Sequence, residues 1–142
     1  MQYFIDTNIF LRVIIKNDQK QFDECVIFLT ALKSNQFDAF TGTVVLAEIV
    51  WQLTSFYAVP KKEIIRRIRS LQGINGLNII DNYNQTLALE IFEKYSIKYI
   101  DALIASNEDI YTKKMTIVSY DRDFDKLPVI RKEPKDILAK LN

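Results

Sequence analysis

The sequence predicts an α/β fold whose central, mainly parallel sheet has four to five strands. Short apolar segments that are typical of buried strands recur along the chain, and segments of helical length separate them. No repeat, low-complexity tract or linker divides the chain, which has only three Gly and three Pro residues. We therefore expect a single domain over residues 1–142, with one hydrophobic core.

In the first half of the chain, apolar spacing and helix breakers define the elements. Tyr3, Phe4 and Ile5 form a short apolar run that ends at an acid, which is typical of a buried strand. Apolar residues three and four positions apart then favour helices, and Pro60 ends one of them. The predicted order is a strand at 1–5, helices at 9–15 and 19–33, a strand at 38–41, and helices at 43–57 and 61–72.

The second half continues this alternation after the Gly73 and Gly76 pair, which closes the preceding helix. The last helix starts on Pro134, a residue that the first turn of a helix tolerates. The predicted elements are a strand at 77–80, helices at 84–95 and 99–111, a strand at 116–118, a fifth strand at 129–130 and a helix at 134–141.

Composition excludes several kinds of chemistry. The chain has no histidine, so catalytic triads, histidine bases and most zinc sites are excluded. Its one cysteine, Cys25, lies in an apolar helical pattern and is expected to be a core residue. The net charge of +1 gives no global electrostatic case for nucleic acid. Asp6 interrupts the apolar N-terminus and no segment approaches the length of a membrane span, so we expect a soluble cytoplasmic protein.

Two acids follow predicted strands directly. Asp6 ends the first strand, and Asp121 and Asp123 follow the strand before Ser119. In parallel sheets, ligands bind outside the carboxyl ends of the strands, so these positions are typical of a functional site. Two structural alternatives are open: Asp6 could cap the helix that follows it, and Asp121 could be an ordinary turn residue.

Two other acids lie in apolar helices. Glu48 is the one charge in TVVLAEIVWQL, and Asp101 lies among apolar residues in YIDALIAS. A buried carboxylate is costly unless it is paired, hydrogen-bonded or bound to metal. Each could instead form a buried salt bridge, and Asp101 could stabilise the first turn of its helix. One explanation covers all four acids, namely that they converge on Mg²⁺ or Mn²⁺, which prefer oxygen ligands.

These segments together resemble the PIN-domain family. The resemblance rests on DTN at Asp6, LAEIVWQL at Glu48, YIDALIAS at Asp101 and SYDRDF at Asp121, and it spans essentially the whole chain. Ser119 stands where Thr is more usual, and it keeps the hydroxyl. The similarity is greatest to the small VapC-type toxins, and it implies a three-layer α/β/α fold around the parallel sheet.

The resemblance also implies a function and roles for individual residues. PIN domains are metal-dependent nucleases, so Asp6, Glu48, Asp101 and Asp121 would be the catalytic acids that bind Mg²⁺ or Mn²⁺. The resemblance also implies that three further residues support these acids: Asn8, Ser119 and Asp123. A VapC-type protein would be an RNA-cleaving toxin that pairs as a homodimer and binds an antitoxin protein through a hydrophobic groove.

Basic residues cluster in KKEIIRRIRS, where Lys62, Arg66 and Arg69 form one stripe at helical spacing. The stripe could be an ordinary solvated face, or it could contact an RNA backbone or an acidic partner.

Three alternatives to a toxin nuclease remain at this point. A PIN nuclease could process RNA without an antitoxin, and a PIN-like module could bind RNA or protein without cutting. A receiver domain is also a small α/β domain with an acidic Mg²⁺ pocket. Adjacent acids after the first strand and a lysine after the last are usual there, whereas Asp6 is followed by Thr7 and Asn8.

Overall fold

The computed structural model describes residues 1–141, which form an all-parallel five-stranded sheet with helices packed around it. The strands are β1 (Gln2–Ile5), β2 (Asp38–Thr41), β3 (Leu77–Ile79), β4 (Met115–Val118) and β5 (Arg131–Lys132). The helices are α1 (Thr7–Ile15), α2 (Gln19–Lys33), α3 (Thr43–Ser55), α4 (Lys61–Gln72), α5 (Gln85–Lys94), α6 (Tyr99–Ala105), α7 (Glu108–Tyr111) and α8 (Pro134–Leu141). A 3₁₀ helix covers Arg122–Lys126.

The strand order β3-β2-β1-β4-β5 places β1 at the centre of the sheet. The chain moves outward from β1 to β3 and then returns to β4 on the opposite side of β1. Because crossovers between parallel strands are almost always right-handed, this reversal puts the helices before and after β3 on opposite faces. Accordingly, α1 packs on α2 and α3, whereas α6 packs on α5 and α7. The predicted three-layer α/β/α fold is confirmed.

The two central strands are almost completely buried. Phe4 and Ile5 of β1 are fully buried, and every residue of β4 is buried. Burial of a large apolar side chain contributes about 1.5–3 kcal/mol, so this pair of strands anchors the core. The carboxyl ends of β1 and β4 therefore lie side by side at the edge of the buried core. A polar group at either end is held in place by the backbone of the sheet.

The fifth strand lies two residues beyond its predicted position. The apolar pair Val129–Ile130 predicts the strand there, but β5 is Arg131–Lys132 and pairs Arg131 with Ile117. An edge strand has one strand neighbour, so its residues need not be apolar. The Arg131 side chain also donates to the Ser119 carbonyl oxygen at 2.9 Å, which holds the strand at the sheet edge.

The helix predicted over 99–111 is two helices, α6 and α7, because polar residues cap both ends of the break. The Ser106 hydroxyl donates to the Leu103 carbonyl at 2.6 Å at the end of α6. The side-chain oxygen Oδ1 of Asn107 accepts from the Ile110 N–H at 3.1 Å at the start of α7. Within residues 1–141, no helix has the length and apolar character needed to cross a bilayer.

Candidate functional site

Asp6 lies at the carboxyl end of β1, and its backbone N–H donates to the Val118 carbonyl of β4 at 3.1 Å. The chain reverses direction across the sheet between these two strands, which is where α/β sheets bind ligands. Asp6 occupies the N-cap position of α1, yet its side chain makes no capping hydrogen bond. Helix capping therefore does not account for this buried carboxylate.

A hydrogen-bond network joins Asp6 to the loop after β4. Asp6 Oδ2 accepts from the Ser119 hydroxyl at 2.7 Å and from Asn8 Nδ2 at 3.2 Å. The Asn8 amide also donates to Ser119 Oγ at 2.8 Å, and its oxygen accepts from the Tyr120 N–H at 3.1 Å. Ser119 Oγ in turn accepts from the Asp121 N–H at 3.0 Å. Both residues expected to support Asp6 therefore contact it directly.

Asp101, Asp121 and Asp123 come together from α6 and the 3₁₀ helix. Each offers one carboxylate oxygen, and these three oxygens lie within 4.8 Å of one another. Asp121 is the N-cap of the 3₁₀ helix and accepts from the Asp123 N–H at 2.9 Å, so this short turn holds the two acids side by side. The group contains Asp123, which sequence reasoning made an accessory residue.

Asp101 is almost completely buried, with 2% of the residue exposed. Its Oδ2 atom is buried and has no hydrogen-bond partner in the protein. A buried, unpartnered carboxylate oxygen costs free energy, because it has lost water and gained nothing in exchange. A cation bound between Asp101, Asp121 and Asp123 would remove this cost.

Glu48 borders the group from α3. Its carboxylate accepts from the Thr7 hydroxyl at 2.9 Å and from the Gln52 amide at 3.2 Å. Lys98 Nζ lies 3.7 Å from Glu48 Oε1, so Glu48 has a cationic neighbour. The Lys98 side chain is 58% exposed, so this is not the tight, fully buried pair that would by itself neutralise Glu48.

The acids perturb one another electrostatically. Burial raises the pKa of Asp101 to about 7, and the charges of Asp6, Asp121 and Glu48 act in the same direction, against the opposing charge of Lys98. Burial raises the pKa of Asp6 to about 6, although the hydrogen bond from Ser119 lowers it. These carboxylates share a region that strongly favours added positive charge.

The donor set fits a hard divalent cation. Within residues 1–141, every ligand atom that this group of acids offers is a carboxylate oxygen. Oxygen ligands suit Mg²⁺ or Mn²⁺ and disfavour softer metals. The unpartnered Asp101 Oδ2 and the raised pKa values of Asp6 and Asp101 both indicate unbalanced negative charge. The four acids singled out from the sequence and Asp123 are therefore the residues that could hold such an ion.

The basic stripe lies on the exposed face of α4. Lys62, Arg66 and Arg69 line a shallow groove of about 630 Å³, together with Ile65 and Ser70. Arg66 forms a hydrogen-bonded ion pair with Glu63 one turn earlier, which neutralises part of the stripe.

Sequence reasoning assigned no partner to Glu48, and two of its contacts show why. Gln52 lies four positions after Glu48 on α3, so helical spacing could have identified it as a neighbour. Lys98 had no such signal, because its contact depends on how the start of α6 packs near α3.

Comparison with known proteins identifies the family and the fold. The family model described as "PIN domain" matches residues 3–130. A solved structure of VapBC2 from Rickettsia felis, bound to a DNA fragment from its promoter, is similar with a TM-score of 0.66 and 22% identity. The alignment covers 94% of this chain and 98% of that one. A comparison with curated protein sequences gives no match.

The similarity in fold covers 94% of this chain, and the family match over residues 3–130 includes all the acids of the site. Asp6, Glu48, Asp101 and Asp121 stand at the motif positions from which the resemblance was drawn. By its sequence and by the topology that gathers these acids, the chain belongs to the PIN domain family.

Proposed function

We propose that this protein is a metal-dependent ribonuclease that hydrolyses RNA phosphodiester bonds. The observation that carries the proposal is the group of Asp101, Asp121 and Asp123 oxygens within 4.8 Å of one another, bordered by Asp6 and Glu48. Without histidine, the chemistry must rely on carboxylates, hydroxyls, Lys or Arg, and a metal held by carboxylates would supply a nucleophile at neutral pH.

Mg²⁺ or Mn²⁺ bound here would lower the pKa of a coordinated water and offset charge on the scissile phosphate. The catalytic acids Asp6, Glu48, Asp101 and Asp121 would hold the ion, with Asp123 as an additional ligand. The Ser119 hydroxyl and the Asn8 amide would fix the orientation of the Asp6 carboxylate.

The direct test is cleavage of labelled RNA by the purified protein. We expect cleavage in Mn²⁺ or Mg²⁺, none in excess chelator, and a loss of about a thousandfold in Asp6→Asn, because metal catalysis contributes several kcal/mol. Asp23→Asn changes an exposed acid on α2 and should cut like the wild type. Cleavage that persists in chelator, or equally in Asp6→Asn, would contradict the metal mechanism.

The same assay separates the nuclease from a module that only binds. Such a module would retain labelled RNA in a binding assay and leave it intact with either metal. Membership of the PIN domain family already excludes the receiver-domain alternative.

We propose further that the protein is the toxin of a type II toxin–antitoxin system and acts in the cytoplasm. The VapBC2 complex of similar fold supports this role. An apolar groove of about 560 Å³ between α3 and α4, lined by Val50, Ile64, Ile65 and Ile68, offers a site for an antitoxin helix. A neighbouring gene whose product binds this chain and stops cleavage would identify the toxin. Cleavage without such a neighbour would instead support an RNA-processing role.

Exposed apolar side chains support the proposal of a homodimer. Trp51 and Phe56 on and after α3 are 58% and 69% exposed, and Leu89 and Phe92 on α5 are 59% and 45% exposed. Exposed apolar residues that form a contiguous patch mark interaction surfaces, and the Trp51 and Phe56 rings contact each other edge to face. Light scattering of the purified chain should give twice its mass of 16.6 kDa, and a monomer mass would contradict the dimer.

We expect charge reversal of Arg66 and Arg69 to Glu to weaken RNA binding and to flatten its salt dependence, because each phosphate contact contributes to that dependence. Lys20→Glu together with Lys33→Glu reverses the same charge on exposed α2 residues and should leave both quantities unchanged. An unaltered salt dependence in the Arg66 and Arg69 variant would indicate a solvated face or a contact with a protein partner.

A further inference from the structure

Lys98 lies beside the acid group, at the N-cap position of α6 and three residues before Asp101. Its ammonium group lies 3.7 Å from Glu48 Oε1. Its charge also interacts with Asp101, Asp121 and Asp6. Lys98 therefore contributes positive charge to the same oxygens that would hold a divalent cation.

The contact of Lys98 with Glu48 is weaker than the contacts of Arg131, a cation with a structural role. Arg131 is 11% exposed and donates to Asp125 and to the Ser119 carbonyl oxygen at 2.9 Å, so it is fixed in place. Lys98 is 58% exposed, and its separation from Glu48 is longer than a hydrogen bond. A long, exposed lysine side chain can leave this position at little cost, because water can replace the ion pair.

We propose that Lys98 is a positioning residue that competes with the divalent cation for the Glu48 carboxylate and thereby lowers the affinity of the site for metal. The inference rests on the proposed metal site. It requires the Lys98 ammonium group to move away from Glu48 when the metal binds. Its effect on metal affinity is opposite in sign to that of the acids, since removal of Lys98 should strengthen binding.

The test is a calorimetric titration of the metal-free protein with Mn²⁺, with the shift in melting temperature as a second readout. Lys98→Met removes the charge and keeps the length of the side chain. We expect half-saturation at about three- to tenfold lower Mn²⁺ in this variant, the size of effect that one charge several ångströms away gives at a hydrated site. Lys98→Arg keeps the charge and should titrate close to the wild type.

Lys94→Met is the matched control, because Lys94 is also exposed but lies on α5 against the Tyr95 ring. It should titrate like the wild type. Unchanged or weaker Mn²⁺ binding by Lys98→Met would overturn the competition, whereas loss of binding in Asp101→Asn would still support the metal site. No binding of Mn²⁺ by the wild type would overturn the metal site and the competition together.

Discussion

Replacement of Asp101 by Asn is expected to make the metal-free protein more stable while it abolishes RNA cleavage. The structure gives the two effects one cause. The Asp101 carboxylate is buried with an unpartnered Oδ2, and burial and the neighbouring acids raise its pKa to about 7. Asn has nearly the same shape and no charge. At pH 8 we expect a gain of about 1–3 kcal/mol in the free energy of unfolding, since each pKa unit corresponds to about 1.4 kcal/mol.

The same substitution should lower activity although it raises stability, because a neutral amide oxygen binds a divalent cation much more weakly than a carboxylate. We expect cleavage to fall about a thousandfold or more, and the rise in melting temperature caused by Mn²⁺ to disappear. Urea unfolding at pH 8 in chelator measures the stability, and labelled RNA measures cleavage. Asp23→Asn removes an exposed acid of α2 and should change neither quantity.

A variant that is less stable than the wild type in chelator would contradict the idea that Asp101 carries unbalanced charge. Stability and activity that fall together would indicate that Asp101 has a structural role alone. The expected separation, with a more stable but inactive protein, is the pattern of a residue kept for function at a cost in stability.

The acids could be predicted from the sequence because each has a local signal. Asp6 and Asp121 follow apolar strands directly, and Glu48 and Asp101 interrupt apolar helices. In a parallel sheet the ends of neighbouring strands meet, so the pattern also implies that such acids come close to one another. The fold followed from the same alternation of apolar strands and helices, and it is confirmed at the level of layers and strand direction.

The parts that could not be predicted depend on tertiary packing or on single hydrogen bonds. The contact of Lys98 with Glu48 requires α6 to start beside α3, which no periodicity encodes. Asp123 joins Asp101 because the Asp121 side chain caps a short 3₁₀ helix. Apolar character predicts the fifth strand at Val129–Ile130, whereas pairing with β4 forms β5 at Arg131–Lys132.

The stability of the metal-free protein is expected to fall as pH rises from 5 to 8, the reverse of what salt-bridged carboxylates produce. Asp6 and Asp101 have pKa values of about 6 and about 7 in the folded protein, mainly through burial, against a usual value of 3.8. The folded state therefore holds protons that the unfolded state has already lost. Their contribution to stability is fully present below pH 3.8 and is lost as pH rises through 6 and 7.

The size of the change should be about 2–4 kcal/mol between pH 5 and pH 8, since the two carboxyl groups together account for several pKa units. The chain has no histidine that would titrate in this interval, so no histidine contributes to the change in stability between pH 5 and pH 8. The lowered pKa of Asp125, caused by its hydrogen bond from Arg131, affects stability only at more acidic pH. Urea unfolding in chelator at half-unit steps of pH measures the slope.

Two additions identify the source of this slope. Asp101→Asn should remove the part of it that belongs to the group with a pKa of about 7, so that the remaining change centres near pH 6. Saturating Mn²⁺ should flatten or reverse the dependence, because the metal binds the deprotonated carboxylates and stabilises them in the folded state. Stability that is flat or rises with pH in chelator would show that the buried acids are already neutralised within the protein. The site would then have no unbalanced charge for a metal to relieve.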